Sequence, residues 1–270
     1  MNKKQWIVDQ SLRIDEFVYQ KGITKKALKN IKMKGDILVD GVHQTVRYIL
    51  HCGEVLTLIY PQEDNHIYPQ NIPLHIVYED DYLLVIDKQK GMPCIPTKKH
   101  PTHTLSNALT YYYQTIGLTS TIHLVNRLDM ETSGLMIVAK YREIHHMMCQ
   151  DMKHIYRKYQ ATVKGYVEGG IIDLPIYREG INIQRVIDER GKPSITHYQL
   201  IKKLDNTSIV EFVLKTGRTH QIRVHMSYIG HPLVGDVLYG DGQGEFDLTS
   251  IMVAFVHPIT QQLRVIQKKD

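Results

Sequence analysis

In the first sixty residues, apolar positions recur first at the spacing of a helix and then at the spacing of strands. Thr24 stands where a helix N-cap is expected, and lysines fill the positions between the apolar side chains. Those apolar side chains recur at helical spacing, at Ile23, Ala27, Leu28 and Ile31. Beyond Gly35, two apolar-rich stretches flank Asp40-Gly41, a dipeptide favoured in tight hairpin turns, and a further strand is predicted at 55–60. The pattern predicts a small α/β unit.

The segment 61–73 separates this unit from the rest of the chain. It holds three prolines and a polar run, which are typical of a linker. We therefore divide the chain into a module at 1–60, a linker at 61–73 and a second domain at 74–270.

The second domain mixes strand and helix patterns in no regular alternation. Because the strands adjoin one another and the helices are interspersed, the order favours an α+β domain over a doubly wound one. We expect a mixed, largely antiparallel sheet with flanking helices. Helices are predicted at 104–116, 142–154 and 218–229. Strands are predicted at 74–78, 82–87, 135–139, 159–166, 195–201, 209–214, 251–256 and 263–266.

Composition places the chain among ordinary globular proteins. Its 270 residues are 43% hydrophobic, enough for a sizeable core, and no apolar run approaches the roughly 20 residues of a membrane-spanning helix. The first residues lack the apolar stretch of a secretion signal, so a cytoplasmic location without membrane association is expected. The three cysteines form no Cys-x-x-Cys pair, and packing is the expected role of each.

Positive charge is concentrated near the start of the chain. The net charge is +5, too mild by itself to indicate a nucleic-acid partner. The segment 17–35, however, has six lysines and no acidic residue. Four of them, Lys25, Lys26, Lys29 and Lys32, belong to the predicted helix and are our candidates for binding an RNA backbone. A solvated helix face would show the same pattern, and charge alone does not separate the two.

Two polar stretches carry candidate chemistry. In the first, Arg127 and Asp129 lie in a polar loop that ends in Thr-Ser-Gly and an apolar strand, so the carboxylate can be held rigidly at the edge of the core. In the second, Arg218 is predicted to open a helix after Gly217, which would place Arg218, Ile222 and His225 on one face. An arginine and an aliphatic side chain one turn apart could then line a pocket with Asp129.

Together these stretches resemble the RluA-type family of pseudouridine synthases. The family's Arg-Leu-Asp and Thr-Ser-Gly stand at 127–134, and its Thr-Gly-Arg-Thr-His-Gln-Ile-Arg-Val-His string is intact at 216–225. Shorter matches follow in the family's order, so the resemblance runs from about residue 72 to the C-terminus. Asn126 stands where histidine is common, and an amide can still form hydrogen bonds there. The N-terminal order of helix, hairpin and strand similarly resembles the small RNA-binding module of ribosomal protein S-four.

The family resemblance implies an RNA pseudouridine synthase, an isomerase that modifies specific uridines of structured ribosomal or transfer RNA. It implies that Asp129 is the nucleophile and that Tyr159 stacks against the flipped uracil. It further implies that Arg218 pairs with Asp129 and keeps it charged, and that Ile222 lines the pocket. We also expect Arg127 to contact the substrate. The family needs no metal and no organic cofactor, and nothing in the sequence demands more than a monomer.

Other functions make different demands on the residues. A catalytically silent RNA-binding protein could keep the fold, but it would have no need to keep Asp129, Tyr159 and Arg218 together. A glycoside or nucleoside hydrolase is expected to use two carboxylates, and one obvious candidate is present. The histidines and the cysteine of segment 145–154 match no standard zinc spacing, so no metal site is predicted.

Overall fold

The chain divides into two units of dense internal contact, residues 1–64 and residues 65–270. The computed structural model describes residues 3–61, 65–150 and 152–268. Residues 62–64 of the predicted linker therefore lie outside the described residues. Residues 65–74 form no helix or strand, but they belong to the second unit and form hydrogen bonds to residues of its helix at 105–115. Asn65 Nδ2 donates to Thr110 Oγ1 at 3.1 Å, and Asn107 Nδ2 donates to Tyr68 O at 2.7 Å.

The first unit is a four-stranded antiparallel sheet with two helices. Its sheet order is β1-β4-β2-β3. The elements are β1 (Lys3–Ile7), α1 (Ile14–Gln20), α2 (Lys25–Lys34), β2 (Asp36–Val39), β3 (Val42–His43) and β4 (Val55–Ile59).

Helix α2 and the following hairpin form where the sequence predicts them. Thr24 Oγ1 accepts a hydrogen bond from Ala27 N at 3.2 Å and caps the helix. The apolar face of α2 is buried at Leu28 and Ile31, and the lysines of the helix are exposed to solvent. At the hairpin, Asp40 (φ 47°) and Gly41 (φ 81°) adopt the left-handed conformation that a two-residue turn requires.

The second unit contains the remaining elements, dominated by one ten-stranded sheet. Its order is β10-β13-β14-β9-β15-β8-β6-β5, with β16 paired to β15 and β7 paired to β8. Its helices are α3 (Leu105–Thr115), α4 (Arg142–Gln150) and α5 (Gln221–Tyr228). Its strands are β5 (His75–Glu79), β6 (Leu83–Lys88), β7 (His123–Leu124), β8 (Ser133–Ala139), β9 (Tyr156–Lys164), β10 (Gly169–Asp173), β11 (Ile176–Tyr177), β12 (Val186–Ile187), β13 (Ile195–Lys203), β14 (Thr207–Leu214), β15 (Thr249–Val256) and β16 (Leu263–Gln267).

The sheet is antiparallel except where β15 runs parallel to β8 over two residue pairs. Alternate residues of the central strands point to opposite faces, each of which has its own core. One core includes side chains of α3 and α5, and the other includes side chains of α4. The predicted α+β class with a mixed, largely antiparallel sheet is confirmed.

Two predicted helices have different bounds in the structure. Helix α4 ends at Gln150, and Met152–His154 form a short 3-10 turn instead of its last residues. Helix α5 begins at Gln221, so the prediction that Arg218 opens it is wrong. The reason is His220, whose left-handed backbone (φ 59°) stops the helix from extending further toward the N-terminus. Among the described residues, none of the helices is long and apolar enough to cross a membrane.

Candidate active site

A pocket of about 550 Å³ opens in the second unit, within the size range of small-ligand sites. Its walls come from the loop between β7 and β8, from β9, and from the segment that leads into α5. Asp129, Arg127, Tyr159, Arg218 and Ile222, the five site residues predicted in this unit, all line it. The structure therefore brings together two stretches that lie about ninety positions apart in the sequence.

The loop that carries Asp129 is fixed on both sides of the carboxylate. Leu128 O accepts a hydrogen bond from Cys94 Sγ at 3.0 Å. Met130 O accepts one from Gly91 N at 2.9 Å. These contacts restrict the backbone on both sides of Asp129 and so hold its carboxylate in place.

A buried lysine reinforces the same loop. Lys88 is 1% exposed, and its Nζ donates to Met130 O at 3.1 Å, to Gln89 O at 2.8 Å and to Met92 O at 2.9 Å. All three ammonium protons thus bind carbonyl oxygens. Burial lowers the pKa of Lys88 to about 8.

Asp129 itself lies next to two positive or potentially positive groups. Its side chain is 27% exposed, and Oδ2 lies 3.9 Å from His220 Nε2 and 4.0 Å from Arg223 Nη1. Among the described residues, Arg218 forms no ion pair with Asp129; its Nε donates to Pro193 O at 3.2 Å. The expected pairing of Arg218 with Asp129 is therefore wrong. Arg223, five positions later in the same string, takes that place because α5 starts after Arg218.

Arg223 is held by a second carboxylate that the sequence pattern did not single out. Its Nε and Nη2 donate to the two carboxylate oxygens of Asp236, both at 2.7 Å, and both side chains are almost fully buried. Burial by itself would raise the pKa of Asp236, but the hydrogen bonds from Arg223 keep the pKa below its usual value. The ring centroids of Tyr239 and Phe246 lie 5.2 and 5.1 Å from the guanidinium carbon of Arg223.

The ring of His220 lies between Tyr239 and Asp129. Its Nδ1 lies 2.8 Å from Tyr239 OH, which also accepts from Arg185 N at 2.7 Å. Its Nε2 lies 3.9 Å from Asp129 Oδ2. Burial lowers the pKa of His220, the charge of Asp129 opposes this shift, and the charge of Arg223 adds to it. The imidazole is therefore neutral at pH 7.

The two remaining predicted residues of the pocket interior, Tyr159 and Ile222, lie on different elements. Tyr159 is on β9 and is 5% exposed, and Ile222 is in the first turn of α5 and is 3% exposed. Burial raises the pKa of Tyr159, so the phenol stays protonated at neutral pH. Arg127 is exposed at the pocket's edge. The arrangement gives a flat ring, an aliphatic side chain and a carboxylate around one cavity.

The side-chain amide of Asn126 forms a hydrogen bond, as expected from the sequence. Its Oδ1 accepts from Ile137 N at 2.8 Å, which ties the pocket loop to β8.

His225, which the helical pattern placed on the pocket face, is instead fully buried and does not line the pocket. Its Nδ1 lies 2.9 Å from Thr196 Oγ1 and its Nε2 lies 3.0 Å from Leu174 O.

Arg223, His220 and Asp236 are site residues that were not predicted from the sequence. The first two stand in the same 216–225 string as Arg218, and a later helix start would have pointed to Arg223. Asp236 follows Gly235 in a turn, and nothing in its local sequence indicates an arginine partner. In the described part of the chain, no group of three or more His, Cys, Asp or Glu side chains could hold a metal ion.

Comparison with known proteins gives consistent matches. A family model described as RNA pseudouridylate synthase matches residues 82–228. The uncharacterized RNA pseudouridine synthase YjbO of Bacillus subtilis is 40% identical over 262 residues, 93% of each chain. The ribosomal large subunit pseudouridine synthase D of Pseudomonas aeruginosa is 42% identical over 211 residues, 76% of this chain and 66% of its own length.

Solved structures agree with the sequence matches. The human RNA Pseudouridylate Synthase Domain Containing 1 protein aligns with a TM-score of 0.61 and 25% identity. The alignment covers 74% of this chain and 85% of that protein's chain.

Proposed function

The chain belongs to the RNA pseudouridylate synthase family and is an RNA-modifying isomerase, and we propose that it acts on ribosomal RNA with Asp129 as its catalytic carboxylate. The observation that carries this assignment is the position of Asp129, in a pocket that Tyr159 and Ile222 also line and beside Arg223. Several relatives at 34–42% identity are named ribosomal large subunit pseudouridine synthase D. These names support ribosomal RNA over transfer RNA as the substrate class.

The reaction balances without a redox partner because uridine and pseudouridine are isomers. The bond between ribose C1′ and uracil N1 breaks, the base turns while it stays bound, and a bond forms between C1′ and C5. One proton leaves C5 and one is gained at N1. The side chain we assign to the sugar is the Asp129 carboxylate, which acts as the nucleophile in the first step.

The charges around Asp129 suit this role. An entering nucleotide displaces water from the pocket, and water is what solvates a carboxylate. The guanidinium of Arg223 replaces part of that solvation and cannot lose its proton at physiological pH. His220 Nε2 lies 3.9 Å from the same carboxylate. The positive charge of Arg223 thus stabilises the carboxylate that attacks.

Access to a uridine within folded RNA requires that the base be flipped out of its stack. This costs a few kcal/mol, and stacking on an aromatic ring returns about 1–3 kcal/mol per base. We assign that stacking to Tyr159. Contacts of Arg127 and Arg218 at the pocket with the RNA supply part of the remainder.

Lys25, Lys26, Lys29 and Lys32 provide the rest of the RNA affinity in this proposal. All four are exposed on α2, and their pattern supports the resemblance to the S-four module. Each phosphate contact contributes about 0.7–0.9 to the slope of log affinity against log salt concentration. Replacing the four lysines with glutamine should reduce that slope by up to roughly 3, with Lys3, Lys21 and Lys34 left in place.

Ribosomal RNA as substrate is tested with unmodified transcripts of large-subunit ribosomal RNA and of transfer RNAs. Pseudouridine is mapped by chemical adduct formation after incubation with the purified protein. We expect discrete modified positions in the ribosomal transcript. Modification of transfer RNA alone would contradict the substrate assignment, and release of free uracil would contradict the isomerase. A cytoplasmic location and a monomeric state stay predictions, and light scattering after size-exclusion chromatography tests the second.

A further inference from the structure

A buried arginine at the pocket has no counter-ion among the described residues. Arg157 lies on β9 two residues before Tyr159 and is 4% exposed. Of its five N–H donors, one bonds to Leu214 O at 3.4 Å, and Nε has no acceptor. No carboxylate in the described part of the chain lies within ion-pair distance of it. A buried charge of this kind is unfavourable unless something else provides the missing partner.

The guanidinium is accommodated by a glycine in the segment before α5. A Cβ at Gly217 would lie 2.7 Å from Arg157 Nη1, so a side chain there would force the guanidinium to shift. Gly217 has no positive φ, so space rather than backbone conformation explains the glycine. Both residues line the same pocket as Asp129. Gly217 therefore leaves room for the guanidinium of Arg157 at the pocket wall.

Two neutral side chains of the same pocket also have unused hydrogen-bonding capacity. Asn126 is 6% exposed, its Oδ1 is taken by Ile137 N, and its Nδ2 has no acceptor among the described residues. Thr132 is 2% exposed, and its Oγ1 likewise has no partner there. Buried polar atoms are almost always hydrogen-bonded, and three of the exceptions among the described residues belong to side chains that line this one pocket.

We propose that Arg157, Asn126 and Thr132 form an anion subsite that binds a phosphodiester group next to the target uridine. All three side chains can donate hydrogen bonds, which suits phosphate oxygens. In RNA the negative charge is carried by the phosphodiesters, so these are the anions that the substrate offers to a buried guanidinium. The subsite anchors the sugar-phosphate backbone while Asp129 and Tyr159 engage the sugar and the base. It rests on the proposed function, since it assumes that a nucleotide of RNA enters this pocket.

Nucleotide binding to the intact protein tests the subsite without requiring turnover. The probes are uridine, uridine 3′-monophosphate and uridine 5′-monophosphate, each measured by calorimetry and by the shift in melting temperature at pH 7. The wild-type protein should bind one of the monophosphates at least about tenfold more tightly than uridine, the range of a charge-assisted hydrogen bond. Equal affinity for all three probes would overturn the proposal.

Arg157→Met separates ligand binding from structural support. We expect it to reduce monophosphate affinity to that of uridine and, because it removes an uncompensated buried charge, to raise the melting temperature of the free protein. Arg157→Lys should restore part of the preference. Lys158→Met is the matched control, because Lys158 is on the opposite face of the same strand and pairs with Glu211 at 2.8 Å. The control should keep the full preference.

The outcomes also distinguish the subsite from the proposed function. If Arg157→Met keeps the monophosphate preference, or lowers the melting temperature or does not fold, Arg157 is structural and the subsite is wrong. That result would stand whether or not the wild-type protein makes pseudouridine in ribosomal RNA. With that RNA, Arg157→Met should reduce the salt slope of binding by about 0.7–0.9, the contribution of one phosphate, and Lys158→Met should not.

Discussion

The carboxylate of Asp236 is the group whose loss we expect to destabilise the second unit most. It is fully buried and accepts two hydrogen bonds of 2.7 Å from Arg223, one of 2.9 Å from Leu238 N and one of 3.0 Å from Tyr239 N. Asp236→Asn removes the charge and turns one acceptor into a donor that must face a guanidinium or a backbone N–H. Within the described part of the chain, Arg223 would then keep Asp129, at 4.0 Å, as its remaining ion-pair neighbour.

The expected loss of stability follows from removing one partner of a buried ion pair. Such changes typically cost about 3–5 kcal/mol, and a shift of Arg223 toward Asp129 would offset part of this. We expect about 3 kcal/mol, which lowers the melting temperature of a unit of this size by roughly 6–12 °C. The same change in an Arg223→Met background should cost at least about 1 kcal/mol less, because the two residues act as a pair.

Thermal unfolding followed by circular dichroism measures this effect. Trp6, the single tryptophan, stands on β1, and its fluorescence reports separately on the first unit. Asp241→Asn is the control, because Asp241 is an exposed partner of Lys164 and exposed ion pairs contribute little to stability. A melting temperature for Asp236→Asn no lower than that of Asp241→Asn would refute the reasoning.

Two further predictions concern the backbone near the site and the pH dependence of stability. Gly134 has φ 101°, and a Cβ there would overlap the backbone of Ser250, whereas Gly117 has φ 67° and open space around it. Gly134→Ala should therefore lower the free energy of unfolding by at least about 2 kcal/mol more than Gly117→Ala. Equal melting temperatures of the two variants would contradict this. Burial lowers the pKa of His225, so the unfolded chain binds a proton near pH 6 that the folded chain does not. Stability from this group is complete above the unfolded pKa of about 6.5 and is lost as pH falls below it. His225→Gln should flatten urea-unfolding stability between pH 6.5 and 5, and an unchanged slope would count against the burial argument.

Local sequence signals were sufficient for many elements of the fold. The cap at Thr24 and the Asp40-Gly41 turn act through neighbours in the chain, so the helix and hairpin they predict are confirmed. Strands β9 and β14 were likewise visible because buried and half-buried residues alternate along them, and β8 was visible as a short apolar run. Helix α1 and strand β1 were missed, although Ile14, Phe17 and Val18 are buried at helical spacing.

The charge network of the site could not be predicted in the same way. Which arginine meets Asp129 depends on the residue at which α5 begins, and that depends on the left-handed backbone of His220. The pairing of Arg223 with Asp236 crosses a turn whose path the residue order does not reveal. The position of Tyr159 at this cavity was predicted from the family resemblance, whereas helical spacing by itself predicted that Ile222 lines a pocket with Asp129.

The most direct test of the proposed mechanism is pseudouridine formation by Asp129→Asn under single-turnover conditions with ribosomal RNA, alongside the RNA affinity of the same variant. Glu131→Gln, a change of an exposed carboxylate in the same loop, is the control and should keep wild-type turnover. We predict no detectable pseudouridine from Asp129→Asn, with RNA affinity close to that of the wild type. Turnover by Asp129→Asn above a small fraction of the wild-type rate would contradict the assignment of Asp129 as the nucleophile.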